Sequence, residues 1–125
     1  MNIKFTKNIA QFVEDEIQLS QVASAKNQND IAFSHLENAH VLGQESTYWH
    51  VKVHFLMFLW SIRNRSPKEF FGQILRMFGA LTKTAIGLVP IGNTGGSNIS
   101  PFQKLPLKPE HQAAIVKAKV TNNKR

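Results

Sequence analysis

Apolar residues recur along most of this chain at the three-to-four spacing of an amphipathic helix, broken by short polar clusters. Ile9, Phe12, Val13, Ile17 and Val22 predict a first helix over about residues 8–26. Glu14, Asp15 and Glu16 occupy its early turns, where the helix dipole favours acids, and read as a solvated face. Residues 26–30 form a polar break in which Asn29 or Asp30 can cap a second helix. That helix, about 31–42, gathers Ala32, Leu36, Ala39 and Gly43 on one narrow face that lets a neighbour approach closely. Asp30, Ser34 and Asn38 point the other way, and Gly43 suits a C-terminal cap.

The most apolar stretch is 45–65, predicted as a central helix over 46–63 that Ser46 or Thr47 caps. At about 100° per residue, Trp49, Val53, Leu56 and Trp60 form one stripe. Tyr48, Val51, Phe55, Phe58, Leu59 and Ile62 form a second, broad one, which leaves only the Lys52 and Arg63 side for water. Opposite those charges lie His50, His54, Met57 and Ser61, so both imidazoles fall on the midline of the buried face. The connection back to the second helix is short enough to make the pair an antiparallel hairpin.

Ser66-Pro67-Lys68-Glu69 is a capping box with proline at the first helical position. The fourth helix it opens is expected to bury Phe70, Phe71, Ile74, Met77, Phe78 and Leu81 and to end near Gly87. Residues 88–102 are too rich in glycine, asparagine and proline for regular structure, while Val89, Ile91, Ile99 and Phe102 look like anchors to a core, so 88–107 is expected to wrap over the bundle. An ordered loop wrapped over a helical bundle is the expectation. Pro109 then starts a short last helix through Ala113, Ala114, Ile115 and Val116, and residues 118–125 read as a fraying basic tail. The expected architecture is a single all-α domain over 1–125, with four main helices and a short C-terminal one.

Composition narrows the functional classes. The 125 residues contain no cysteine, which excludes disulfides and thiolate metal sites. The first ten residues lack a signal-peptide pattern, and the apolar run 53–60 is far short of the roughly 20 residues of a membrane span, so a cytoplasmic, membrane-free protein is expected. The net charge of +7 is uneven. Residues 1–62 carry four lysines against six acids, and the remainder eleven basic residues against two acids. An anionic partner for the second half is one reading. The basic residues are dispersed, however, and no helix-turn-helix, RNP or zinc-finger pattern accompanies them, so nucleic-acid binding is not expected.

Across a hairpin whose turn centres near residue 45, His40 faces about position 50, and Glu37 faces about 53 or 54. His50 and His54 have the i,i+4 spacing that lets two imidazoles share one ion. His40 is then a third ligand, with Glu37, His35 or water as the fourth. Sulfur-free donors of this kind suit zinc, or less selectively iron, nickel or copper. In the competing reading the rings donate to backbone carbonyls, for example those of residues 92–98, and only pin the core. Residues Gly92, Asn93, Thr94, Gly95 and Gly96 form a second candidate, since consecutive glycines can turn amides toward an anion. The strand-to-helix setting and the Lys-Ser or Lys-Thr of phosphate loops are absent. No nucleophile elbow is present either, so catalysis is not expected, and an enzyme would have to be metal-dependent. The function expected overall is a non-enzymatic binding or accessory protein with a protein or peptide partner. It needs no cofactor, and zinc or another divalent ion is the alternative.

Three segments together resemble a family of short bacterial proteins catalogued only as a domain of unknown function: Phe-Ser-His-Leu-Glu-Asn-Ala-His-Val-Leu-Gly-Gln (33–44), Trp-His-Val-Lys-Val-His (49–54) and Pro-Ile-Gly-Asn-Thr-Gly-Gly-Ser-Asn-Ile-Ser (90–100). The resemblance covers about 31–116 and implies a bacterial, stand-alone helical protein. It brings no activity and no functional residue.

Overall fold

A computed structural model describes residues 3–86 and 106–123, with side chains described for 3–79 and 106–119. Five helices appear among these residues: α1 (Ile3–Ala25), α2 (Asn29–Gly43), α3 (Thr47–Arg63), α4 (Pro67–Ile86) and α5 (Pro109–Asn123). No strand occurs among them, so the all-α bundle read from the sequence is the observed fold.

Helix α1 buries Phe5, Ile9, Val13, Ser20 and Ala23, one face at helical spacing. It stops where Asn27 takes a left-handed φ of 60°. Gln28 N–H then donates to Ala23 C=O at 2.9 Å and Asn27 N–H to Ser24 C=O at 3.0 Å, the paired bonds of a Schellman stop. Helix α2 begins two residues earlier than expected, at Asn29. Its N-cap is Gln28, whose side chain makes no capping bond, so neither Asn29 nor Asp30 caps it. Gly43 lies inside α2 rather than in a left-handed cap, and its role is steric: a Cβ there would sit 2.7 Å from Trp49 Cβ.

Helix α3 is capped by Ser46, whose Oγ accepts from Trp49 N–H at 3.3 Å. It ends with Arg65 at φ 52°, where Ser66 N–H reaches Ser61 C=O at 2.9 Å and Arg65 N–H reaches Ile62 C=O at 3.2 Å. Only three residues separate α2 from α3 and three separate α3 from α4, so each consecutive pair packs side by side. The cap of α4 follows the capping-box expectation in its first half, since Glu69 N–H donates to Ser66 Oγ at 3.4 Å. Helix α5 packs on α1 and continues through Asn123. Ala118 is buried in that contact, and its carbonyl accepts from Asn8 Nδ2 at 3.1 Å.

Ile9, Val13, Val53 and Met57 are wholly buried at the centre, joined by Leu36, Leu42, Trp49, Ala114 and Ile115. Each large apolar side chain buried this way stabilises the fold by about 1.5–3 kcal/mol. Trp49 adds a polar tie, its indole N–H reaching Thr6 C=O at 3.0 Å, so α3 is pinned across to α1.

The second apolar stripe of α3 departs from expectation. Tyr48, Phe55, Leu59 and Ile62 are exposed, as are Val22 of α1 and Phe71 and Phe78 of α4. Helix α3 is covered by α2 on its histidine side and by α4 along Phe58, whose ring meets Phe70 at 5.0 Å. Helix α1 also meets α3, at Trp49 and Arg63, and Tyr48, Phe55 and Ile62 are left exposed. Lys52 and Arg63 make exposed side-chain bonds, and Lys52 Nζ lies over the Tyr48 and Trp49 rings. No described helix is long and apolar enough to cross a membrane. The loop 88–102, its proposed anchors and Leu81 lie outside the residues whose side chains are described.

Candidate metal centre

His40 sits in the last turn of α2, His50 in the first turn of α3, and His54 one turn further along α3. The tight α2–α3 connection folds these turns against each other. Gly43 permits that closeness, because any Cβ at this position would collide with α3. Ring centroids are 4.8 Å apart for His40 and His50, 4.6 Å for His40 and His54, and 5.1 Å for His50 and His54. All three residues are buried, with 2%, 5% and 2% exposure in chain order. One ligand atom from each lies within 4.8 Å of the others, and among the described residues this is the only such grouping of metal-ligating side chains. The structure brings together the three imidazoles that the spacing argument grouped, His40, His50 and His54.

Nε2 of His40 and Nε2 of His54 stand 3.1 Å apart. Two nitrogens bound to one tetrahedral ion at about 2.0–2.1 Å stand roughly 3.3 Å apart. The pair is therefore already at nearly the separation an ion requires. At this distance one of these nitrogens donates its proton to the other.

Behind His54 stands α4. Gln73, wholly buried, accepts from His54 Nδ1–H at its Oε1, 2.5 Å away, and its own Nε2 donates to Glu69 Oε1 at 3.0 Å. Sequence reasoning missed both residues. The signal was present: Gln73 interrupts the inward face of α4 between Phe70, Ile74 and Met77, and an amide placed there must find partners.

Glu37 and His35, the expected fourth ligands, lie outside the three-histidine group. His35 turns toward α1 and donates through Nδ1 to Glu16 Oε1 at 2.8 Å. Glu37 is half-buried, and its carboxyl is raised above the ordinary carboxylate range, first by burial and then by Glu69, with Lys108 opposing. Glu16 is not the solvated acid expected. It also accepts from Asn38 Nδ2 at 3.2 Å, and Lys108 Nζ in turn donates to Asn38 Oδ1 at 3.1 Å. His111 of α5 is buried beside this network. Burial holds its pKa below the usual imidazole value, Lys108 adds to that, and Glu110 and Glu16 oppose it. The proposed anion loop, Gly92 to Gly96, and any bond from the histidines to residues 92–98, lie outside the described residues.

The family model described as "Protein of unknown function (DUF3703)" matches residues 7–115, and the chain belongs to this family. That bears out the resemblance to a family catalogued only as a domain of unknown function. Neither the curated proteins nor the solved structures yield a match.

Proposed function

We propose that this family member binds a transition-metal ion through His40, His50 and His54, in a holding role rather than a catalytic one. The observation that carries this reading is the convergence of three buried imidazoles from two helices, with the Nε2 atoms of His40 and His54 at 3.1 Å. Three rings gathered in a core need a common reason, because each must satisfy two nitrogens away from water. A shared cation satisfies one nitrogen of each ring at once.

The donor chemistry narrows the ion. Three nitrogens without sulfur or carboxylate suit zinc and its first-row neighbours cobalt, nickel and copper, and do not suit calcium or magnesium, which take oxygen. Gln73 behind His54 is the kind of hydrogen-bonded support that ligating histidines generally have. The enclosure of the rings favours holding an ion over admitting and turning over a bulky substrate.

A broader accessory role with a protein partner has one observation in its favour. Tyr48, Phe55 and Ile62 of α3, with Phe71, Leu75 and Phe78 of α4, are all about half exposed or more. Nothing among the described residues identifies an occupant, so metal binding is the reading carried forward.

The test is elemental analysis of tag-free protein loaded with zinc and then desalted. One zinc per chain in the wild type and none in His50→Ala supports the reading. No retained metal in the wild type overturns it.

A further inference from the structure

We infer that Gln73 and Glu69 are positioning residues of this centre, which fix Nε2 as the ligating atom of His54; the inference rests on the metal reading above. An imidazole offers two nitrogens, and only the unprotonated one can bind a metal. Which one it is depends on the hydrogen bond the other makes.

The chain of polarity here runs in one direction. The carboxylate of Glu69 can only accept, so the side chain of Gln73 must present its NH2 to it, at 3.0 Å. That orientation turns Gln73 Oε1 toward His54, and a carbonyl oxygen can only accept. The proton of a neutral His54 therefore resides on Nδ1, 2.5 Å from that oxygen. Its Nε2 then carries the lone pair, which accepts from Nε2–H of His40 at 3.1 Å. Gln73 is 0% exposed and sits on the inward face of α4, so water does not compete for its amide.

The arrangement also places charge. An amide, not a carboxylate, touches His54, and the anion stands one side chain further back at Glu69. Histidine binds a metal as a neutral ligand, so in this chain negative charge reaches the site through the Gln73 amide rather than by direct contact.

Zinc affinity, measured by competition with a chromophoric chelator, is compared among wild type, Gln73→Met and the double swap Glu69→Gln with Gln73→Glu. Long-range 15N–1H spectra of the metal-free proteins report the His54 tautomer. The swap keeps a hydrogen bond from 69 to 73 and from 73 to His54, with the donor of the first reversed, and moves the charge next to His54. Gln73→Met is expected to weaken zinc binding roughly 10–100-fold and to admit the Nε2–H form of His54. The swap is expected to bind at least as tightly as wild type and to keep the Nδ1–H form. Wild type that binds zinc while Gln73→Met binds it equally well overturns the inference alone, as does an Nε2–H tautomer in the metal-free wild type. Wild type that binds no zinc removes the metal reading and this inference with it. If Gln73→Met loses its helical circular dichroism, the wild-type tautomer and the affinity of the swap decide, and a swap that loses zinc overturns the proposal.

Discussion

His40 and His54 stand fourteen residues apart in sequence and on different helices, yet their Nε2 atoms meet at 3.1 Å inside the protein. The contact exists because Gly43 lets α2 and α3 close on each other and because Gln73 holds the far side of the His54 ring. Backbone sterics, side-chain packing and hydrogen-bond polarity thus converge on one pair of nitrogens.

If those nitrogens are ligands, removing either ring must cost more than removing a supporting residue. His40→Ala and His54→Ala are each expected to lower zinc affinity by more than the ~10–100-fold typical of a lost supporting hydrogen bond. His35→Ala, which breaks only the bond to Glu16, is expected to leave it unchanged. Competition titration of the three variants checks this.

Gly43→Ala tests the helix contact itself. The new methyl would lie 2.7 Å from Trp49 Cβ and 3.3 Å from Val13 Cγ2. The first of these atoms is fixed to the α3 backbone, so the helices must separate. A loss of about 1–3 kcal/mol is expected, as for other overpacked cores, read from urea unfolding of the metal-free protein.

Ser46 has two duties at one hydroxyl, capping α3 at Trp49 N–H and sharing a 2.7 Å hydrogen bond with Thr6 Oγ1 of α1. Ser46→Ala is expected to cost about 1 kcal/mol or more, the usual loss for an N-cap. Ser46→Thr is expected to recover part of it. Thermal unfolding of the two variants side by side distinguishes them.

His111 gives the fold a pH dependence of known sign. Its pKa is depressed in the native state, chiefly by burial, so the unfolded chain takes up the proton first as pH falls. Below the ordinary imidazole value of 6.5, and until the depressed native pKa is reached, stability therefore declines with falling pH. His111→Gln is expected to flatten that part of the curve. Denaturant midpoints of the metal-free proteins across this range provide the comparison, since both carry the same three-histidine cluster.

Much of the three-histidine cluster is legible in the sequence, for a definite reason. Helical periodicity alone places His50, His54, Met57 and Ser61 on one line, and all four are buried. The shortness of the α2–α3 connection brings His40 opposite them. What periodicity cannot say is which flank of an almost wholly apolar helix has a neighbour, and so Tyr48, Phe55 and Ile62 were assigned to a core they do not join. Glu16 and Gln73 were missed for the opposite reason. A polar residue reads as solvent-facing until a partner on another helix, such as His35 or His54, is seen to claim it. Gly43 was recognised as special, but a helix cap and a close helix contact ask for the same residue, and only the position of Trp49 separates them.

Anomalous diffraction at the zinc absorption edge, from crystals grown after zinc loading, tests metal binding most directly. A single peak within about 2.0–2.1 Å of Nε2 of His40, Nε2 of His54 and one ring nitrogen of His50 is the expected result. Crystals with no peak among these three rings, or with zinc only on surface residues, would contradict it.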